Sequence, residues 1–188
     1  MKVICQHSQK CWDYFLKKKN KVCKTIKHLI DILEAGGWKV QYVRCDGAGE
    51  YLEVKVMLEK RGINIKFTRA NMPERNGFVE RCFLANREKA TAAMIFAKLQ
   101  PELRHILWAQ FAKASSIITN QTCNMVHEVP QDELFYQKQC KLRDNIQILG
   151  RVRYLPNQSK IKTAKFVTNK AKKIIMCGFI ENHTRDTY

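Results

Sequence analysis

Acidic residues are scarce in this chain of 188 residues: Asp and Glu total 17 against 34 Lys and Arg, leaving a formal net charge of +17. A surplus of this size calls for a polyanionic partner, nucleic acid first and an anionic membrane surface second. The eight cysteines form no C-x-x-C pair and have no clustered histidine beside them, which argues against a zinc site and against a disulfide scaffold. They read as reduced thiols of a nuclear or cytoplasmic protein. No apolar run approaches a membrane span, and no signal-peptide core follows Met1. The basic surplus is therefore expected to face nucleic acid and not lipid. There is no internal repeat and no low-complexity tract. Hydrophobic residues make up 45%, enough to bury a real core.

The patterning alternates between strand and helix. Residues 3–15 hold short β-compatible pieces closed by Lys17, Lys18 and Lys19. Val22, Ile26, Leu29, Ile30 and Leu33 recur at helical spacing, and Gly36-Gly37 supplies the stop. Residues 39–45 read as a strand running into the turn Asp46-Gly47-Ala48-Gly49. A short helix over 52–60 ends at Gly62, and Ile63, Ile65 and Phe67 alternate as the next strand. The longest helical signal starts near Pro73 or Gly77 and reaches about Lys98. Beyond Pro101, a helix over 102–119 puts Leu103, Ile106, Leu107, Phe111, Ala114 and Ile118 on one stripe, with Trp108 expected in the core. Residues 121–145 look irregular apart from an apolar knot at Leu134, Phe135 and Tyr136, and short β-like runs follow from Ile146. This order predicts an α/β layer with a mixed sheet and a small β-rich tail.

Two carboxylates stand where chemistry is plausible. Asp46 closes a predicted strand, the position from which α/β folds reach their crevices, although Asp before Gly is also ordinary turn chemistry. Glu80 falls in the first turns of the long helix, where the helix dipole favours a carboxylate without any further role. Phe78 and Val79 beside it look core-facing, and Arg81 suits a salt bridge or a phosphate contact. A strand-end Asp and a helix Glu can converge on a divalent cation, and Mg²⁺ or Mn²⁺ takes such oxygen ligands. Two-metal phosphodiester chemistry needs a third carboxylate.

These residues carry a resemblance. Arg44-Cys45-Asp46-Gly47-Ala48-Gly49-Glu50-Tyr51 is similar to R-S-D-N-G-G-E-F/Y of the integrase region in Copia-type retrotransposon Pol polyproteins. Pro73 to Arg81 resembles P-Q-Q-N-G-V-A-E-R, and Leu107-Trp108-Ala109-Gln110 with Ile117 to Asn120 resembles F-W-A-E followed by Y-L-L-N-R. Phe15 to Lys19 resembles Y-F-L-K-K-K. Gly150 with Tyr154, then Lys173 to Phe179, resembles V-F-G-C-x-A-Y and K-G-I-F-V-G-Y of an SH3-like module. Five motifs in the family's order cover nearly the whole chain.

The resemblance implies a ribonuclease-H-like core with a D-D-E metal triad. Asp46 matches the second aspartate and Glu80 the glutamate. The first aspartate belongs to a strand that in the family precedes the position matched by Met1, as does a His/His/Cys/Cys zinc module. Gly47 and Ala48 replace the usual Asn and Gly, and Leu84 stands where the family often has Arg. The expected division is a truncated catalytic core over 1–125, a linker over 126–145 and an incomplete SH3-like module over 146–188. The expected function is DNA binding by an integrase-like protein whose Mg²⁺ or Mn²⁺ site is weakened or lost. An active polynucleotidyl transferase and a non-enzymatic protein-interaction module remain the alternatives. The expected DNA contacts are Lys17, Lys18, Lys19, Arg81, Arg87 and Lys89, with basic residues from Arg151 to Lys173 beside them. A second copy of the chain, or the rest of a Pol polyprotein, is the further partner the family implies.

Overall fold

A computed structural model describes residues 1–46, 51–68, 77–123, 128–139, 148–156 and 171–178. The chain is mixed α/β. Its order is β1 (Lys2–Ile4), β2 (Cys11–Asp13), a 3-10 turn (Lys19–Lys21), α1 (Val22–Ala35), β3 (Tyr42–Asp46), α2 (Leu52–Lys60), β4 (Asn64–Thr68), α3 (Gly77–Phe96), α4 (Pro101–Gln121), α5 (Gln131–Tyr136), β5 (Val152–Pro156) and β6 (Ala171–Ile175). Among the described residues the strands pair two by two: β1 with β2, β3 with β4, β5 with β6. Contacts divide the chain into one unit of Met1–Val3 and Trp12–Phe83, and another of Ile4–Cys11 and Leu84–Tyr188.

The first unit is built around a parallel β–α–β crossover. Parallel strands need a long connection, and α2 supplies it between β3 and β4, which run in register from Tyr42 opposite Asn64 to Asp46 opposite Thr68. Helix α1 turns Val22, Ile26 and Ile30 onto Val54 and Leu58 of α2 and onto Ile63, with Val43 and Ile65 of the strands packed against the cluster. Helix α1 stops where Gly37 takes φ +84 and the Trp38 N–H donates to the Leu33 carbonyl at 2.9 Å.

The second unit is centred on α3 and α4. Ala90, Met94 and Ala97 of α3 meet Phe111, Ala112 and Ala114 of α4, with Leu99 and Leu149 in the same cluster. The Asn86 amide crosses between the helices to the Ala112 carbonyl at 3.1 Å. Pro101 opens α4 at a position where its missing N–H costs nothing. Asn120 accepts from the Cys11 N–H at 2.9 Å and donates to the Cys11 carbonyl at 2.8 Å, holding the tip of the hairpin. Strand β5 runs antiparallel to β6, from Val152 opposite Ile175 to Pro156 opposite Ala171. Cys177 packs against the α3–α4 core, and burial pushes its thiol pKa up.

Two expectations fail. Trp108 is 50% exposed, and Leu103 and Ile106 are 45% and 68% exposed. The fully buried residues of α4 start at Phe111, and within its first ten residues Leu107 is partly buried against the α3–α4 cluster. The span read as irregular contains α5, which Pro130 starts and Asp132 and Glu133 support in its first turn. Ile146 and Gln147 lie outside the described residues, as do 157–170 and 179–188.

Candidate nucleic-acid interface and carboxylate pair

Asp46 is the last residue of β3, opposite Thr68 at the matching end of β4. The Thr68 hydroxyl donates to the Cys45 carbonyl at 3.0 Å, tying the two strand ends together. Glu80 lies in the first turn of α3 and is exposed. Val79 is 38% exposed and Phe78 half-buried, so the first turn of α3 is not the apolar contact its sequence suggests. The Arg81 guanidinium folds back to the start of the same helix, its Nη1 3.4 Å from where a Cβ on Gly77 would stand.

Asp46 and Glu80 thus occupy a strand end and a helix start in the same unit. Residues 47–50 and 69–76, which include Gly47 to Glu50 of one quoted motif and Pro73 to Asn76 of the other, lie outside the described residues. No group of three or more His, Cys, Asp or Glu side chains that could hold a metal ion occurs among the described residues. Carboxylate oxygens have the right chemistry for Mg²⁺ or Mn²⁺, but two of them fall short of the donor number such ions take from proteins and substrate.

The basic residues separate into three groups. Lys17, Lys18 and Lys19 are all exposed and lead directly into α1. On α3, Arg81, Arg87 and Lys89 are exposed, but at about 100° per residue Arg87 lies roughly 240° and Lys89 roughly 80° around the helix from Arg81. They do not make one surface, and the Lys89 ammonium donates to the Thr119 hydroxyl at 2.9 Å. In the third group Arg151 is exposed, whereas Arg153, Lys160, Lys162, Lys165, Lys170, Lys172 and Lys173 have their side chains outside the described residues.

Helix α1 and the turn that leads into it carry basic residues that the motifs do not contain. Lys21, Lys24 and Lys27 are exposed, and the signal for them is a stretch between Asp13 and Asp31 with no acidic residue. The acidic end of α1 is partly compensated within the fold: the Arg61 guanidinium reaches Asp31 at 2.6 Å and Glu34 at 3.5 Å. No protein-family model matches the chain, and no curated protein matches it.

Proposed function

We propose that this chain is an integrase-like, nucleic-acid-binding protein of the Copia-type retrotransposon class, impaired in strand transfer. The observation that carries the reading is the run β3–α2–β4–α3, a parallel crossover whose first strand ends at Asp46, followed by a helix that carries Glu80 in its first turn, in a chain of net charge +17. A ribonuclease-H-like core needs such a crossover, with its carboxylates at a strand end and on a following helix. Strands β5 and β6 are the part assigned to an SH3-like module.

DNA is the proposed partner because the exposed lysines before and along α1 can neutralise phosphates whatever the base sequence. A homo-oligomer is the second reading. It is favoured by the apolar side chains exposed on α3 and α4: Leu84, Ile95, Phe96, Leu103, Ile106 and Trp108.

The test pairs a binding assay with a joining assay. The full chain is expected to bind duplex DNA with an affinity that falls steeply as salt rises, and to join no oligonucleotide ends in Mg²⁺ or Mn²⁺. Metal-dependent joining abolished by Glu80→Gln would replace this reading with the active transferase. DNA binding that is absent, or indifferent to salt, would overturn the nucleic-acid reading itself.

A further inference from the structure

Helix α1 has its charges the wrong way round for a helix. Its first turn holds no acidic residue and its last turn no basic one, and no side chain caps its N-terminus. The macrodipole favours the opposite arrangement, so Lys21 and Lys24 oppose helix formation and do not assist it. The fold supplies a partner for the misplaced acids, Asp31 and Glu34, through Arg61. Among the described residues no carboxylate forms an ion pair with Lys17, Lys18, Lys21, Lys24 or Lys27.

These lysines share a face with His28. At about 100° per residue, Lys21, Lys24, Lys27 and His28 fall within an arc of roughly 120°, directly opposite the buried stripe of Val22, Ile26, Leu29 and Ile30. From Lys21 to His28 the helix rises roughly 10 Å at 1.5 Å per residue, the axial advance of about three phosphates on one DNA strand. Lys17 to Lys19 extend the charge beyond the helix start.

We infer that the exposed face of α1, from Lys21 to His28 and continued by Lys17 to Lys19, is a strip that docks on the phosphate backbone of duplex DNA without reading its sequence. This deepens the proposed function and rests on it. Lysine brings point charge and no bidentate fork for a base edge, so contact of this kind positions and does not specify. No Phe, Tyr or Trp lies on α1, so the strip offers no stacking platform for a single strand. An anionic membrane fits less well, because a helix held at a lipid surface draws much of its affinity from an inserted apolar face, and that of α1 is already spent in the core. Ile32, exposed toward the other end of the helix, is a single side chain and not a face.

The test compares the full chain with the variant Lys21→Gln/Lys24→Gln/Lys27→Gln on a short labelled DNA duplex across a salt series. Each lost phosphate contact removes about 0.9 from the slope of log affinity against log salt, so the slope should shrink by between about 2 and 3. Affinity at moderate salt should fall at least about tenfold, equally for unrelated duplex sequences. A control variant, Lys55→Gln/Lys60→Gln on α2, should leave the slope unchanged. The triple variant should melt at or above the parent temperature; a lower melting temperature would overturn the claim that these lysines oppose the dipole. Unchanged affinity and slope in a chain that still binds DNA sinks the strip alone, whereas a parent that binds no duplex sinks the proposed function with it. Preference of the parent for phosphatidylserine vesicles over the duplex would also overturn the assignment.

Discussion

At Gly150 the backbone takes φ +80, and a Cβ there would lie 2.6 Å from the Ala93 carbonyl oxygen and 2.9 Å from the Ala97 Cβ. The strand region is pressed against α3 at this point: the Gly150 N–H donates to the Met176 carbonyl at 2.8 Å, and the Met176 N–H returns to the Arg151 carbonyl at 3.0 Å. Any side chain would have to push the α3 backbone away while holding a left-handed conformation. Gly150→Ala should therefore cost about 2–4 kcal/mol, summing left-handed strain and overpacking. Urea unfolding measures it, and a midpoint equal to the parent's would refute the close approach. Gly150 was noticeable in the sequence only through its place in a motif, and its need for a bare backbone comes from α3, more than fifty residues away. Asn120 is similar: the motif names it, but only the folded hairpin shows that both ends of its amide are engaged by Cys11.

At the scale of elements, legibility followed locality. Helices α1 and α2 have the bounds their periodicity predicts, because each carries its own apolar spacing and a glycine that stops it: Gly37 at φ +84 and Gly62 at φ +68. Strand β3 begins at Tyr42, later than residues 39–45 suggest, because pairing with β4 and not alternation sets its start. The stripe on α4 was legible in Leu107, Phe111, Ala114 and Ile118, but Trp108 is half-exposed although Leu107 beside it packs on the core. Asp46 and Glu80 were legible as residue types at a strand end and a helix start, and the face of α1 becomes legible only once the helix is placed. Helix α5 was hidden because what holds it lies far away in sequence. The Lys10 ammonium, 7% exposed, pairs with Asp132 and stands 4.6 Å from the centre of the Tyr136 ring. Removing one member strands a largely buried charge, so Asp132→Asn should destabilise by about 3 kcal/mol, whereas Lys10→Met/Asp132→Leu should recover most of the loss. Chemical denaturation of the single and double variants checks this; a double variant as unstable as the single would show that the pair contributes more than mutual compensation.

At the scale of the whole molecule, one quantity governs two measurable properties in opposite directions. A net charge of +17 repels itself in the folded state, where cations are held closer together than in the unfolded chain. The described ion pairs relieve this only locally, as at Lys2–Asp13 and Arg61–Asp31, and leave the lysines along α1 to the solvent. The screening length shrinks from about 30 Å at 0.01 M salt to about 10 Å at 0.1 M, so added NaCl should remove much of the repulsion between separated lysines. A relief on the order of 1 kcal/mol would raise the melting temperature by about 2–4 °C for a chain of this size. The same salt competes for DNA phosphates, and a protein making several phosphate contacts loses about a thousandfold or more in affinity between roughly 50 and 200 mM. Raising NaCl over this range should therefore stabilise the free chain while releasing it from DNA. Sodium chloride is the right salt, because sulfate would strengthen apolar burial as well and blur the electrostatic term. A melting temperature that falls with NaCl would show that attractive surface pairs outweigh the excess charge. With bound duplex present, the two effects should cross: DNA protects the fold at low salt, and that protection should fade as the intrinsic gain in stability appears.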